Sequence, residues 1–327
     1  MNGSADDDAR RHERMRRRTA KLDREFAFSA PGGGDCRPTY TRGEAEQRAS
    51  TLLAKLPALP AIVLEASKPA GASVEGLEAA VEKDPSLAAM VLAVGGSSFF
   101  RGDGPPARNL AALMEQVGTA AFRGLTFVAA FRGIFGAALP WYGYGERGLW
   151  RHLVGTAVAA RKLGRAMGLH KLACETLFLA GMLHDIGKPT VQGLLDSRAP
   201  SAEAASQGGT LTVLEAELRA VNMTHTELVP LILDIWGVEH DIFAMTEHHH
   251  APQRAGAHAV QASLLQLADV LANLAGTGLE HEYGFSNVPL EKAAGRLNLS
   301  LELCRSVQEE LGWTVAEIAT EADSAAG

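Results

Sequence analysis

The stretch GMLHDIGKPT, residues 181–190, follows the uncharged run Leu177-Phe178-Leu179-Ala180 and closes it with a histidine, an aspartate and a lysine. A segment apolar enough to be buried on every side should not carry an ionised carboxylate without a partner, because stripping a charge of water is costly unless a countercharge replaces it. Asp185 therefore calls for a cation, and the rest of the chain must supply that cation or the ligands that hold it.

Outward from this point the pattern is helical. Apolar runs of helical length cover 149–167, 172–186, 211–221, 228–236, 242–250 and 260–274. Upstream, Ser73 precedes Val74, Leu77 and Val81, and Asp84-Pro85 offers an N-cap and a first-turn proline to a helix carrying Leu87, Met90, Val91 and Val94. Strand-like alternation of β-branched residues is nearly absent. The segment LPWYGYGERG, 139–148, mixes proline, glycines and aromatics and marks a loop between two bundles. The fold class is therefore all-α. A tail over 1–45, rich in Arg, Asp and Gly, reads as mostly unstructured; helical bundles follow at 46–138 and 149–279, then a helical extension at 280–327. That extension is expected to hold one helix from Leu290 to Leu311 and another over Trp313 to Glu321.

Composition narrows the function. With 327 residues, 46% hydrophobic and 21% charged, the chain can bury a large core. Cys36, Cys174 and Cys304 lie far apart with no CxxC pair, which argues against a disulfide framework or a thiolate zinc site and fits a reducing cytoplasm. The N-terminus has no signal-peptide core, and no run reaches the roughly 18 apolar residues of a membrane span. A net charge of −7 argues against nucleic acid as the main partner. The exception is the tract Arg10, Arg11, Arg14, Arg16, Arg17 and Arg18, which either touches nucleic acid or an acidic surface or, more simply, is a solvated tail.

The histidines are distributed with a pattern. His152 lies off the polar face that Arg151, Lys162 and Arg165 define on its helix. His225 shares a stripe with Leu228, Val229, Ile232 and Trp236, and His249 one with Ile242, Met245 and Thr246, while His250 shares a face with Phe243. Asp269 sits inside LLQLADVLANL, a second carboxylate in a buried setting. A single inward histidine is usually a hydrogen-bonded core residue. His152, His184, Asp185, His225, His249 or His250, and Asp269, spread over five helices, point instead to a common metal site of the kind bundles build between facing helices. Side chains of adjacent His184 and Asp185 diverge by about 100°, so one can complete a first ion's shell while the carboxylate bridges to a second. Imidazole with carboxylate favours iron, manganese or zinc over calcium. Lys188 is either a phosphate partner at the mouth of the site or a helix-end cation complementing a dipole. His12, His170, His240, His258 and His281 stand beside charges, glycines or loop residues and read as surface.

The order His152, then HDIGK at 184–188, His225, a histidine pair followed by Pro252, and Asp269 resembles the HD superfamily of metal-dependent phosphohydrolases. Upstream, LPALPAIVLEAS, EKDPSLAAMVLAV and GLWRH resemble the HDOD family, the HD-related output domain of bacterial signalling proteins, with Gly96-Ser97 in place of the usual Asn-Ser. The resemblance spans about 52–275 and implies an HDOD-like bundle before an HD-type bundle. It selects both His249 and His250, leaving His248 outside. The sequence HHHAPQRAG lacks the GYP signature, so cyclic-di-GMP phosphodiesterase activity is not implied. Three-metal members carry a glutamate where this chain has Gly148, so at most two ions are implied. Two functions follow from the resemblance. One is a cytoplasmic signalling module that keeps a metal site and binds signalling proteins or a nucleotide; the other is an active phosphohydrolase in which Asp185 and Lys188 serve the reaction on a phosphoester.

Overall fold

The computed structural model describes residues 38–56, 74–238, 242–280 and 284–326. The basic tract, Cys36, the LPALPAIVLEAS segment after Leu56, Ser73, His12, His240 and His281 lie outside them. The described residues form an all-helical fold, with isolated bridges such as Leu139 with Tyr144 and Tyr144 with Leu279 in place of any strand.

The first described helix begins within the 1–45 stretch that reads as tail. It is α1 (Arg42–Leu53), opened by a capping box in which Thr41 accepts from the Glu44 amide and Glu44 accepts from that of Thr41. Next come α2 (Val74–Glu82) and α3 (Pro85–Gly95), where Asp84 accepts from the Ser86 and Leu87 amides at 3.1 and 3.0 Å. The short α4 (Ser98–Arg101), α5 (Leu110–Val117) and α6 (Thr119–Ile134) follow, the last burying Phe122, Leu125, Phe127, Val128 and Phe131.

The loop expected at 139–148 carries a 3-10 turn at Pro140–Tyr142 and buries Leu139, Tyr142 and Tyr144. One apolar cluster runs through residues on both sides of it, from Tyr40 to Ala322. Beyond the loop lie α7 (Gly148–Ala166), buried nearly all round, and α8 (Lys171–Leu183). These two helices touch backbone to backbone: a Cβ on Gly181 would meet the Ala157 Cα at 2.5 Å and its N at 2.6 Å. That approach sets His152 on α7 opposite the end of α8, where His184 and Asp185 emerge.

The chain continues through α9 (Lys188–Leu194), α10 (Ala202–Ala205), α11 (Val213–Val221), α12 (His225–Trp236), α13 (Phe243–Glu247) and α14 (Ala259–Leu274). The helix expected over 242–250 ends at Glu247, so His249 and His250 stand in the turn beyond it. The C-terminal expectation also needs correction. Residues 290–311 are not one helix but α15 (Leu290–Gly295) and the start of α16 (Leu301–Ser324), which also absorbs 313–321. Asn298 takes a left-handed φ of 54° between them, and Ser300 caps α16 by accepting from the Leu303 amide, so the break is made by local turn chemistry that apolar periodicity does not register. Helix α16 packs on α7, α14 and α3, joining the two halves of the chain.

Candidate metal centre

Five chain segments deliver the site. His152 projects from α7; His184 ends α8 and Asp185 follows it; His225 is the first residue of α12; His249 and His250 follow α13; Asp269 lies mid-way along α14. Gly187 makes the approach of α12 possible, since a Cβ there would meet the His225 carbonyl oxygen at 2.1 Å.

All seven side chains converge. His152, His184, Asp185 and Asp269 form one group, and Asp185, His225, His249 and His250 another, each with ligand atoms within 4.8 Å of one another. Asp185 belongs to both, and its two oxygens divide the work. Oδ2 lies 3.3 Å from the Nε2 of both His152 and His184, whereas Oδ1 lies 3.0 Å from His225 Nε2 and 3.8 Å from His249 Nε2. Asp269 Oδ1 closes the first group at 3.2 Å from His152 Nε2. His248, half-buried, belongs to neither. Of the histidines read as surface, His170 is exposed and caps α8, and His258 is half-buried.

The ring orientations are fixed from behind. His184 Nδ1 donates to the Gly181 carbonyl at 2.8 Å, His249 Nδ1 to that of Thr246 at 2.7 Å, and His225 Nδ1 to Glu217 Oε1 at 2.7 Å. A carbonyl can only accept, so His184 and His249 each carry a proton on Nδ1 and turn Nε2 toward the site. Glu217 is a residue that the sequence reading missed; it is buried and also accepts from the His225 amide and the Tyr142 hydroxyl. Its signal was present in the stripe of Val213, Ala220 and Val221 on α11, at the helical spacings that place Glu217 inward.

Lys188 is 2% exposed and pairs with Asp185 Oδ2, its ammonium 5.4 Å from the ring centroids of both Tyr142 and Tyr144. The dipole reading of this lysine does not hold. Lys188 opens α9, where the helix end is positive and disfavours a cation, so the carboxylate and the ring faces hold it there.

Charge follows from this geometry. Burial pushes the Asp185 carboxyl upward, but His184, Lys188 and His225 outweigh it and hold the group well below the usual carboxylate range. Burial opposes a charge on His184 as well, yet Asp185 and Asp269 raise it to about 9. His249 and His250 go the other way, chiefly through burial, with a neighbouring histidine adding to it; His250 falls to about 3. Both are thus neutral imidazoles near pH 7, the form that binds metal.

Asp185 Oδ1, His225 Nε2, His249 Nε2 and His250 Nε2 are buried without a hydrogen-bond partner. Leaving such groups unsatisfied costs about 1–3 kcal/mol each, and an ion placed among them would satisfy all four. The donor set of imidazole nitrogens and carboxylate oxygens fits a divalent transition metal. No room exists for a third-ion glutamate at position 148, because a Cβ on Gly148 would meet the Gly278 carbonyl oxygen at 2.5 Å and the Tyr144 Cβ at 2.8 Å.

The HDOD domain family matches residues 53–252. The chain belongs to the HDOD family. Asp269 lies beyond the matched residues, and the fold alone brings it to His152. Three solved structures share the HDOD fold of this chain. An HDOD domain protein with unknown function from Geobacter sulfurreducens is 21% identical, with a TM-score of 0.63 over 85% of this chain and 97% of that one. A protein named "Putative phosphohydrolase" from Shewanella amazonensis SB2B is 17% identical, with a TM-score of 0.64 over 84% and 98%. A protein named "Putative signal transduction protein" from Marinobacter aquaeolei VT8 is 21% identical, with a TM-score of 0.62 over 97% and 66%. No curated protein matches the chain. Among the described residues, no helix is long and apolar enough to cross a membrane.

Proposed function

We propose that this HDOD protein is a bacterial, cytoplasmic signal-transduction or regulatory module whose HD-type centre holds one or two divalent ions of iron, manganese or zinc. The observation that carries the reading is the division of Asp185 between two groups of buried ligands, one oxygen to each. His152, His184 and Asp269 complete the first compartment, and His225, His249 and His250 the second. The enclosure favours a regulatory role, because His152, His184, Asp185, His225 and His249 are all fully buried and Lys188 with its two tyrosines packs against the bridging carboxylate. Signalling proteins or a nucleotide are the partners that this role implies.

A second reading, hydrolysis of a nucleotide or other phosphoester, is favoured by the position of Lys188. Its ammonium stands beside the shared carboxylate, where it can steady a phosphoryl oxygen. Bound metals would supply Lewis acidity and an activated water. The purified chain, assayed for metal content and then for hydrolysis of bis(p-nitrophenyl) phosphate and nucleotides, separates the two. One or two ions per chain with no turnover supports the regulatory reading, and turnover that vanishes in Asp185→Ala establishes the enzyme. A wild-type chain that takes up no divalent metal ends both.

A further inference from the structure

The His225 ring stands between two carboxylates. Glu217 Oε1 meets its Nδ1 at 2.7 Å, and Asp185 Oδ1 faces its Nε2 at 3.0 Å. A neutral imidazole has one proton to give; on Nδ1 it forms a hydrogen bond to Glu217, whereas Nε2 makes none despite the nearness of Asp185. If the proton stands on Nε2, it closes the ligand position; if it stands on Nδ1, the position is open. The balance depends on how firmly Glu217 is built.

It is built firmly. Glu217 is fully buried on α11, which a capping box between Thr212 and Glu215 anchors at its start. Glu217 Oε2 accepts the His225 amide at 2.9 Å, so the carboxylate grips the backbone as well as the ring of the same residue. Oε1 also accepts the Tyr142 hydroxyl at 2.7 Å, which ties the 139–148 loop to the same point. Three donors converge on Glu217 and none of its contacts leads to solvent.

We propose that Glu217 is the positioning residue of the second compartment, holding His225 as the Nδ1–H tautomer so that only the bare Nε2 faces the ion. The proposal rests on the metal reading above and extends it to a residue outside both ligand groups. Glu217 touches no ligand position itself and acts through His225. Glutamine at 217 keeps the shape but is a weaker acceptor, so the ring proton shifts toward Nε2.

The test is the binding of Mn2+ and Zn2+ to the full chain after chelator treatment, measured by competition titration. Loss of an outer-shell partner costs about 10–100-fold in metal affinity, so Glu217→Gln should weaken one ion by that factor and leave an ion held by His152, His184 and Asp269 unchanged. Adding Glu217→Gln to His225→Ala should weaken binding no further, because the effect passes through His225. A purely structural glutamate would give an additive loss, and that result, or unchanged affinity in Glu217→Gln, overturns the proposal. Nitrogen NMR of labelled histidines in the Zn2+-loaded wild type needs no variant: His225 bound through Nε2 supports the proposal, and binding through Nδ1 overturns it. A wild type that binds neither ion defeats the metal reading itself, whereas a wild type that binds normally beside an unaffected Glu217→Gln defeats only this inference.

Discussion

Asp185 Oδ1 lies 3.0 Å from His225 Nε2, while the other oxygen of the same carboxylate faces His152 and His184 at 3.3 Å. One side chain therefore belongs to both compartments, and its loss should empty both. Asp185→Ala is expected to bind no divalent metal by elemental analysis. It also removes the carboxylate with which Lys188, 2% exposed, pairs. Breaking a buried ion pair by removing one partner costs about 3–5 kcal/mol, which a denaturant melt of the metal-free proteins will read. Full metal content in this variant would refute the assignment.

The histidine run gives a sharper test of register. His249 is fully buried with Nδ1 on the Thr246 carbonyl, whereas His248 is half-buried and outside both ligand groups. His249→Ala should lower metal content and His248→Ala should leave it unchanged. The reverse pattern would place the ligands one residue earlier in the turn.

Much of this centre was legible in the sequence for a physical reason. A charge in an apolar run is costly, so His184-Asp185 announced itself, and the helical stripe of His225 with Leu228, Val229, Ile232 and Trp236 pointed it inward. The stripe argument reached His249 by a helix that stops at Glu247; the turn after α13 delivers the residue instead. Tyr142 and Tyr144 were hidden because the proline and glycines around them read as a loop, while their burial is tertiary. Glu217 was missed although the stripe of Val213, Ala220 and Val221 points it inward, and only the fold shows that His225 meets it. Asn298 broke a predicted helix through a backbone angle that hydrophobic spacing cannot encode.

Helix contact should matter as much as ligand chemistry. A side chain at Gly181 would collide with the Ala157 backbone at 2.5 Å, and backbone cannot swing aside as a rotamer can. Gly181→Val is expected to part α7 from α8, at about 1–3 kcal/mol or more, and to weaken metal binding by moving His184 from His152. Gly133, exposed on α6 with nothing within 4 Å of its would-be Cβ, is the control. Gly133→Ala should be neutral or slightly stabilising, by up to about 1 kcal/mol. Equal effects at the two positions would show that the close approach is not what matters.

Asp323, in the last turn of α16, pairs with Arg132 on α6 and with Arg147 Nη1 at 2.9 Å, fastening the C-terminal helix to the loop that leads into α7. Burial pushes its carboxyl upward, but the Arg132 hydrogen bond and the charges of Arg147, Arg132 and Arg151 bring it below its ordinary value. A carboxylate whose folded value is depressed contributes stability above its unfolded value, near 3.9, and loses that contribution as pH falls through the folded value. The side chain is 43% exposed, so solvent screens the pair and its contribution is about 0.2–1 kcal/mol. At pH 7, Asp323→Asn should unfold at lower urea than the wild type by that amount. The gap should narrow in high salt and close as both proteins are titrated below about pH 4, since protonation then does to the wild type what the substitution does to the variant. A gap that persists unchanged at low pH would assign the effect to packing of the side chain and not to its charge.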